Sequence, residues 1–140
     1  MDSGTLAGVA SKKMRWTGRI MSAVPVLLTL LGAVMKLMKT AAVIQGFAQH
    51  GIAENLIVPI GVLEVVCVVV YAIPRTAVLG AILMTGLLGG ATLTSVRVGD
   101  PTYPLPVVLG MTVWGGLYLR DMRLRELIPL RKGRRPDQAF

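Results

Sequence analysis

Four stretches of this chain are apolar over about the length needed to cross a lipid bilayer, and nothing else in the sequence constrains the fold as tightly. They run from about Ile20 to Met38, from Leu56 to Ile73, from Ala77 to Thr94 and from about Tyr103 to Leu119. A hydrocarbon layer of ~30 Å needs roughly 20 mainly apolar residues of helix. Backbone polar groups find no water in lipid, so such runs must satisfy them internally and be helical. A membrane β-barrel would alternate apolar and polar residues, and these runs do not. Of the 140 residues, 54% are hydrophobic and 16% charged. So short a chain cannot hide that much apolar surface from water. The composition excludes disorder and collagen and points to an all-α integral membrane four-helix bundle.

The connections carry their own signals. Pro74 ends the second span and Arg75-Thr76 turns into the third, so those two helices must be antiparallel neighbours. Gly99, Asp100 and Pro101 form a turn before the fourth span. Between the first two spans, Val43, Ile44 and Phe47 share one helical face while Gln45 and Gln49 lie off it. Residues Thr40 to His50 thus read as a short amphipathic helix in the membrane interface, with Gly51 suited to its C-terminal cap. No internal repeat and no separate soluble domain is evident.

Charge sets the expected orientation. The N-terminal tail, residues 1–19, carries Lys12, Lys13, Arg15 and Arg19 against Asp2, and the C-terminal tail, residues 120–140, carries seven basic residues against three acids. Four spans place both tails on one side, with Arg75. That gathers 12 of the 15 basic residues on a side expected to be cytoplasmic. The basic balance fits topology and contact with anionic lipid. No helix-turn-helix, zinc finger or aromatic platform accompanies it, so no nucleic-acid partner is expected. The first apolar run has a long polar stretch before it and no small-residue cleavage site directly after it, and reads as a retained helix.

Glu64 sits eight positions into the second span, ~12 Å deep at 1.5 Å per residue. A carboxylate there is expensive and should face the bundle interior with a partner. Lys36 is the expected partner, because without it the first apolar run is too short to cross. Arg97, at the outer end of the third span, would complete a polar pocket of Lys36, Glu64 and Arg97. Two readings stand side by side: an ion pair that fixes helix register, and a ligand or redox pocket. Gly61, one turn from Glu64, either leaves room for a ligand or lets two helices approach closely. Cys67 and Tyr71 continue the same stripe. Cys67 is the sole cysteine, so no internal disulfide forms, and a buried apolar thiol is inert by default. Tyr71 reads as an interface anchor. His50, the sole histidine, makes a poor metal site and reads as an exposed loop residue, with a pocket-rim or proton-relay role as the alternative. Gly86 and Gly90 form a GxxxG pair extended by Thr94, and Ala81, Thr85 and Gly89 make a second row of small residues. Packing within the chain is the expected use, and the spacing also allows a homodimer. No Walker loop, GxGxxG, GxSxG or HExxH motif is present. No flavin, haem or metal site is visible.

Several segments in a fixed order resemble the DoxX-like family of small four-helix membrane proteins. They are Gly32-Ala-Val-Met-Lys-Leu37, Pro59-Ile-Gly-Val-Leu-Glu-Val-Val-Cys67, Ile73-Pro-Arg-Thr-Ala-Val-Leu-Gly80, Gly89-Gly-Ala91, Arg97-Val-Gly-Asp-Pro101 and Trp114-Gly-Gly116. The resemblance runs from about Trp16 to Arg131. It implies a four-helix protein of a bacterial inner membrane, and draws attention to Lys36, Glu64 and Arg97. Relatives named DoxX and DoxD are linked to thiosulfate:quinone oxidoreduction, others to membrane redox or oxidative-stress complexes. By that resemblance the chain would be a small subunit or accessory of membrane redox metabolism, binding a quinone-like or small anionic ligand. It would work with a membrane oxidoreductase as partner rather than as an independent enzyme. Many similar sequences carry histidine two positions before the arginine, where this chain has Ser95. The runner-up is a structural or assembly protein whose buried charges only fix helix packing. A small transporter is a third class, and would need two copies to build alternating access.

Overall fold

The computed structural model describes the backbone of residues 3–127 and the side chains of residues 12–125. Among the described residues six α-helices follow one another: α1 (Ser3–Leu37), α2 (Ala41–Gln49), α3 (Ile57–Ala72), α4 (Ala77–Arg97), α5 (Pro104–Arg120) and α6 (Met122–Leu127). A single 3-10 turn, Glu54–Leu56, leads into α3. Among the described residues there is no strand. The chain is an all-α membrane protein.

Three helical segments are long and apolar enough to cross a membrane: Lys12–Leu37, Glu54–Ala72 and Ala77–Arg97. The fourth, α5, has 17 residues, ~25 Å at 1.5 Å per residue. It packs with the others into a closed ring in which α1 touches α3 and α5, and α4 touches α3 and α5. The expected runs coincide with α3, α4 and α5 to within a turn. The first does not. Its helix begins at Ser3, inside the basic tail, and has 35 residues. Lys, Arg and Met are good helix formers, and no proline interrupts the helix before Pro25. At ~52 Å, α1 is longer than the hydrocarbon layer is thick. The C-terminal tail begins with α6, and its part beyond residue 127 lies outside the described residues.

The packing is that of a membrane protein. Leu27, Leu93, Leu105 and Met111 are all exposed, at 59–71% of their surface. The core is small: Cys67, Val68, Tyr71, Ala77, Ala81, Met84, Val113, Leu117 and Leu124. Outward faces as apolar as the interior are stable only against lipid.

Tyr71 sits at the centre of that core and is completely buried, not an interface anchor. Its hydroxyl donates to the Val113 carbonyl at 2.9 Å and lies 3.0 Å from Ser22 Oγ. Arg120 donates to the Tyr71 carbonyl at 3.1 Å and lies 4.8 Å over its ring. The tyrosine thus ties α3 to α1 and α5. A phenol reaches partners on two other helices only from the middle of the ring, which periodicity along α3 does not reveal.

Between α1 and α5, and between α3 and α4, close helix approach uses glycines outside the expected Gly86–Gly90 pair. A Cβ at Gly116 would lie 2.5 Å from Ser22 Oγ, and one at Gly18 would lie 2.9 Å from the Arg120 nitrogen. These two let α1 and α5 touch. A Cβ at Gly80 would run into the Tyr71 backbone, so Gly80 seats α4 against α3. Gly86, Gly89 and Gly90 meet nothing within 4 Å. Among the described residues the GxxxG pair of α4 packs against no helix, because α4 turns its Gly80, Ala81, Met84 and Leu88 face to the core instead.

Candidate functional site

The sequence places one lysine and one acid within the apolar spans, and the fold brings them together. Lys36 lies in the last turn of α1 and Glu64 in the middle of α3. Lys36 Nζ donates to both carboxylate oxygens of Glu64, at 2.7 Å and 2.9 Å. Both side chains are largely buried, at 18% and 12% exposure. An ammonium and a carboxylate in this setting are tolerable only as a pair, since each alone would carry an unmatched desolvation cost.

Gly61 explains the contact. A Cβ there would lie 3.1 Å from Lys36 Cβ and 3.3 Å from the Ala33 carbonyl. The glycine lets α1 and α3 close on each other, and it does not line the cavity. Of the two readings of Gly61, the geometry matches close helix approach.

A cavity of ≈ 660 Å³ opens beside the ion pair. Its walls come from α1, α2, α3 and α4, with Leu109 of α5. The polar lining is Thr29, Lys36, His50, Glu64, Thr94 and Ser95, and the rest is apolar or glycine. The size falls in the ~300–1,000 Å³ range of small-molecule sites, as does the balance of an apolar body with a few polar groups. The unpacked Gly86 and Gly90 of α4 form part of its wall. A second, almost wholly apolar groove of ≈ 620 Å³ lies between α4 and α5, at Leu88, Gly89, Leu93, Val107, Met111 and Trp114 among others. Trp114 Nε1 donates to Thr85 Oγ1 there, at 2.8 Å.

The short helix α2 roofs the cavity. Val43 and Phe47 of its amphipathic face line the cavity. The amphipathic pattern marks an apolar face on this helix, and sequence alone does not tell which apolar neighbour within the chain that face meets. His50 follows α2 and lines the cavity, at its rim rather than in a free loop. Its Nδ1 lies 2.6 Å from the Gly46 carbonyl and its Nε2 3.1 Å from Asp100 Oδ2. Both ring nitrogens face acceptors. A neutral imidazole donates to one of them and the imidazolium to both.

Arg97 does not join Lys36 and Glu64. Its Nη2 donates to the His50 carbonyl at 3.2 Å, and a Cβ on Gly51 would lie 3.3 Å from the same nitrogen. Gly51 has a φ of +67°, the left-handed geometry that ends α2 and that glycine adopts without strain. Arg97 therefore clamps the end of the roof. Asp100 holds the same corner. Its Oδ1 accepts from the Thr102 backbone N–H and from the Thr102 hydroxyl, both at 2.8 Å. Those two bonds, with a smaller contribution from His50, hold its carboxyl below the usual 3.8.

Cys67 is buried among apolar side chains. Among the described residues no group of three His, Cys, Asp or Glu side chains is placed to hold a metal ion. The sequence reading missed the cavity residues Thr29, Thr94 and Ser95 as a set. The one available signal was a hydroxyl on the Lys36 face of α1, seven residues before that lysine.

A sequence model described as the DoxX-like family matches residues 20–116, which take in all four helices of the ring. No curated protein and no solved structure matches the chain.

Proposed function

The chain belongs to the DoxX-like family, and on that premise we propose that it binds a small, mainly apolar, quinone-like ligand in the cavity under α2. In this reading it serves membrane redox metabolism as a binding subunit or accessory. It lies in the inner membrane with both tails on the cytoplasmic side, beside a membrane oxidoreductase that handles the electrons. Lys36 donates to a ligand oxygen, and Glu64 orients the ammonium.

The observation that carries the reading is the closed Lys36–Glu64 pair at the wall of a largely apolar cavity. The pair has no net charge. A neutral ligand with carbonyl or hydroxyl oxygens suits it better than an anion, which would have to compete with Glu64 for the ammonium. Arg97 is engaged with the His50 carbonyl.

A second reading draws on the same pair. Because Lys36 contacts both Glu64 oxygens, the bridge has the geometry of a device that sets the register of α1 on α3. A double-mutant cycle of Lys36→Met and Glu64→Gln separates the two. The binding reading expects a naphthoquinone probe to lose at least tenfold in affinity in the double variant while the fold survives. Strong coupling in stability with unchanged probe binding would support the register reading and end the first.

A further inference from the structure

The roof helix α2 is jointed at both ends. Lys39 before it has a φ of +47° and Gly51 after it one of +67°. For a side chain such as lysine that left-handed geometry carries a cost. Thr40, at the N-cap, makes no side-chain cap bond, and its buried hydroxyl has no partner. The Lys39–Glu54 contact beside it spans 3.6 Å between exposed groups, and pairs of that kind contribute little. The polar ties that hold α2 across the cavity are therefore gathered at its other end, around His50.

The His50 ring has an acceptor at each nitrogen. Nδ1 lies 2.6 Å from the Gly46 carbonyl, one turn back on α2, and Nε2 lies 3.1 Å from Asp100 Oδ2, in the turn between α4 and α5. A neutral ring has a single N–H, so in either tautomer one nitrogen lone pair is left facing an oxygen. The Gly46 contact is the shorter and lies within one helix, so it keeps the proton. The Asp100 contact joins two elements, and it is the one that opens. The surrounding charges are few. Helix α2 carries no charged side chain. Arg97, at the end of α4, bonds to the His50 carbonyl and opposes a charge on the ring, whereas Asp100 favours one. Lys36 of α1 and Glu64 of α3 line the same cavity as a closed pair. Asp100, held below the usual 3.8 chiefly by its bonds to Thr102, is a carboxylate at any higher pH.

We propose that His50 is a proton-operated latch: its imidazolium joins α2 to Asp100 and holds the roof over the cavity, and loss of the proton releases it. The bond is present at low pH and is lost as pH rises through the histidine range, between about pH 5 and 8. Access to the cavity is then linked to acidity at the end of the bundle opposite the basic tails. The latch requires no ligand, and it stands or falls independently of what the cavity binds.

The test follows amide hydrogen exchange of the full chain in lipid nanodiscs at about pH 5.5 and about pH 8, on either side of the histidine range. Each rate is divided by the intrinsic rate at that pH. Protection of residues 41–50 is expected to fall roughly five- to tenfold from the lower to the higher pH, the worth of one hydrogen bond. Protection within α3 should not move. His50→Gln should remove the pH dependence, because glutamine does not titrate. Asp100→Asn should remove it as well, since an amide serves either state of the ring, accepting from a protonated Nε2 or donating to a bare one. Equal protection of α2 at the two pH values overturns the latch, as does protection that rises with pH or falls equally in α3. A pH dependence that survives in His50→Gln overturns it too, because another group would then be titrating. Should His50→Gln fail to fold, Asp100→Asn decides by the same criterion.

Discussion

The glycines of this chain look alike in sequence and do opposite things. Gly80 lies where a Cβ would strike the Tyr71 backbone, whereas Gly86 faces open space. Gly80→Ala should therefore lower stability by about 1–3 kcal/mol, the usual range for overpacking. Gly86→Ala should leave it near the wild-type value or raise it slightly, since alanine is the better helix former. Thermal unfolding of the two variants in one detergent reads the difference, and equal melting temperatures would contradict the packing described. A second residue-scale expectation concerns acid. Asp100 has a folded pKa below the ordinary 3.8, chiefly through its bonds to Thr102. The stability it contributes is therefore complete above that ordinary value and is lost as pH falls through the lower, folded one. Asp100→Asn should flatten this acid limb in an unfolding series. Sequence makes Gly99-Asp100-Pro101 legible as a turn, but nothing in it pairs Asp100 with His50, which lies fifty residues earlier.

At the scale of elements, α2 is the part to whose description packing adds most. Its amphipathic face was readable from Val43 and Phe47, and the helix stands at Ala41–Gln49 as the spacing implies. The partner of that face was not readable, because lipid and an apolar cavity are equally good neighbours for valine and phenylalanine. None of its residues is fully buried, so few contacts hold it down. The Arg97 bond to the His50 carbonyl and the His50–Asp100 contact tie its end to the α4–α5 corner. Arg97→Ala should speed amide hydrogen exchange in residues 41–50 by roughly two- to tenfold, the loss of one such bond. Exchange within α3 and α4 should not move. If the α2 amides keep their wild-type rates, Arg97 is not what holds the roof.

At the scale of the whole molecule, side-chain polarity is arranged for oil outside. The ring of α1, α3, α4 and α5 keeps a small core and turns most of its large apolar side chains outward. Transfer from detergent to plain buffer should aggregate the protein, and a monodisperse species without amphiphile would contradict the membrane assignment. The charge distribution makes a further prediction. Reporter fusions at both termini should be active on the cytoplasmic side, and tags placed between α4 and α5 should be reached from the other.

Helix class and the presence of a buried acid that requires a cation were settled by the residues themselves. Lipid offers no partner to a free peptide group or a lone carboxylate, and that leaves an apolar run few alternatives. The choice of Lys36 as the cation also follows from the chain, since the first run crosses only by including it. The release of Arg97 to the roof, the burial of Tyr71 and the bare wall of Gly86 and Gly90 were decided by packing alone. Each depends on which face of a uniformly apolar helix turns inward. In a bilayer both faces are acceptable to the solvent, so the pattern along the chain carries little information about that rotation, and only close contact between helices resolves it.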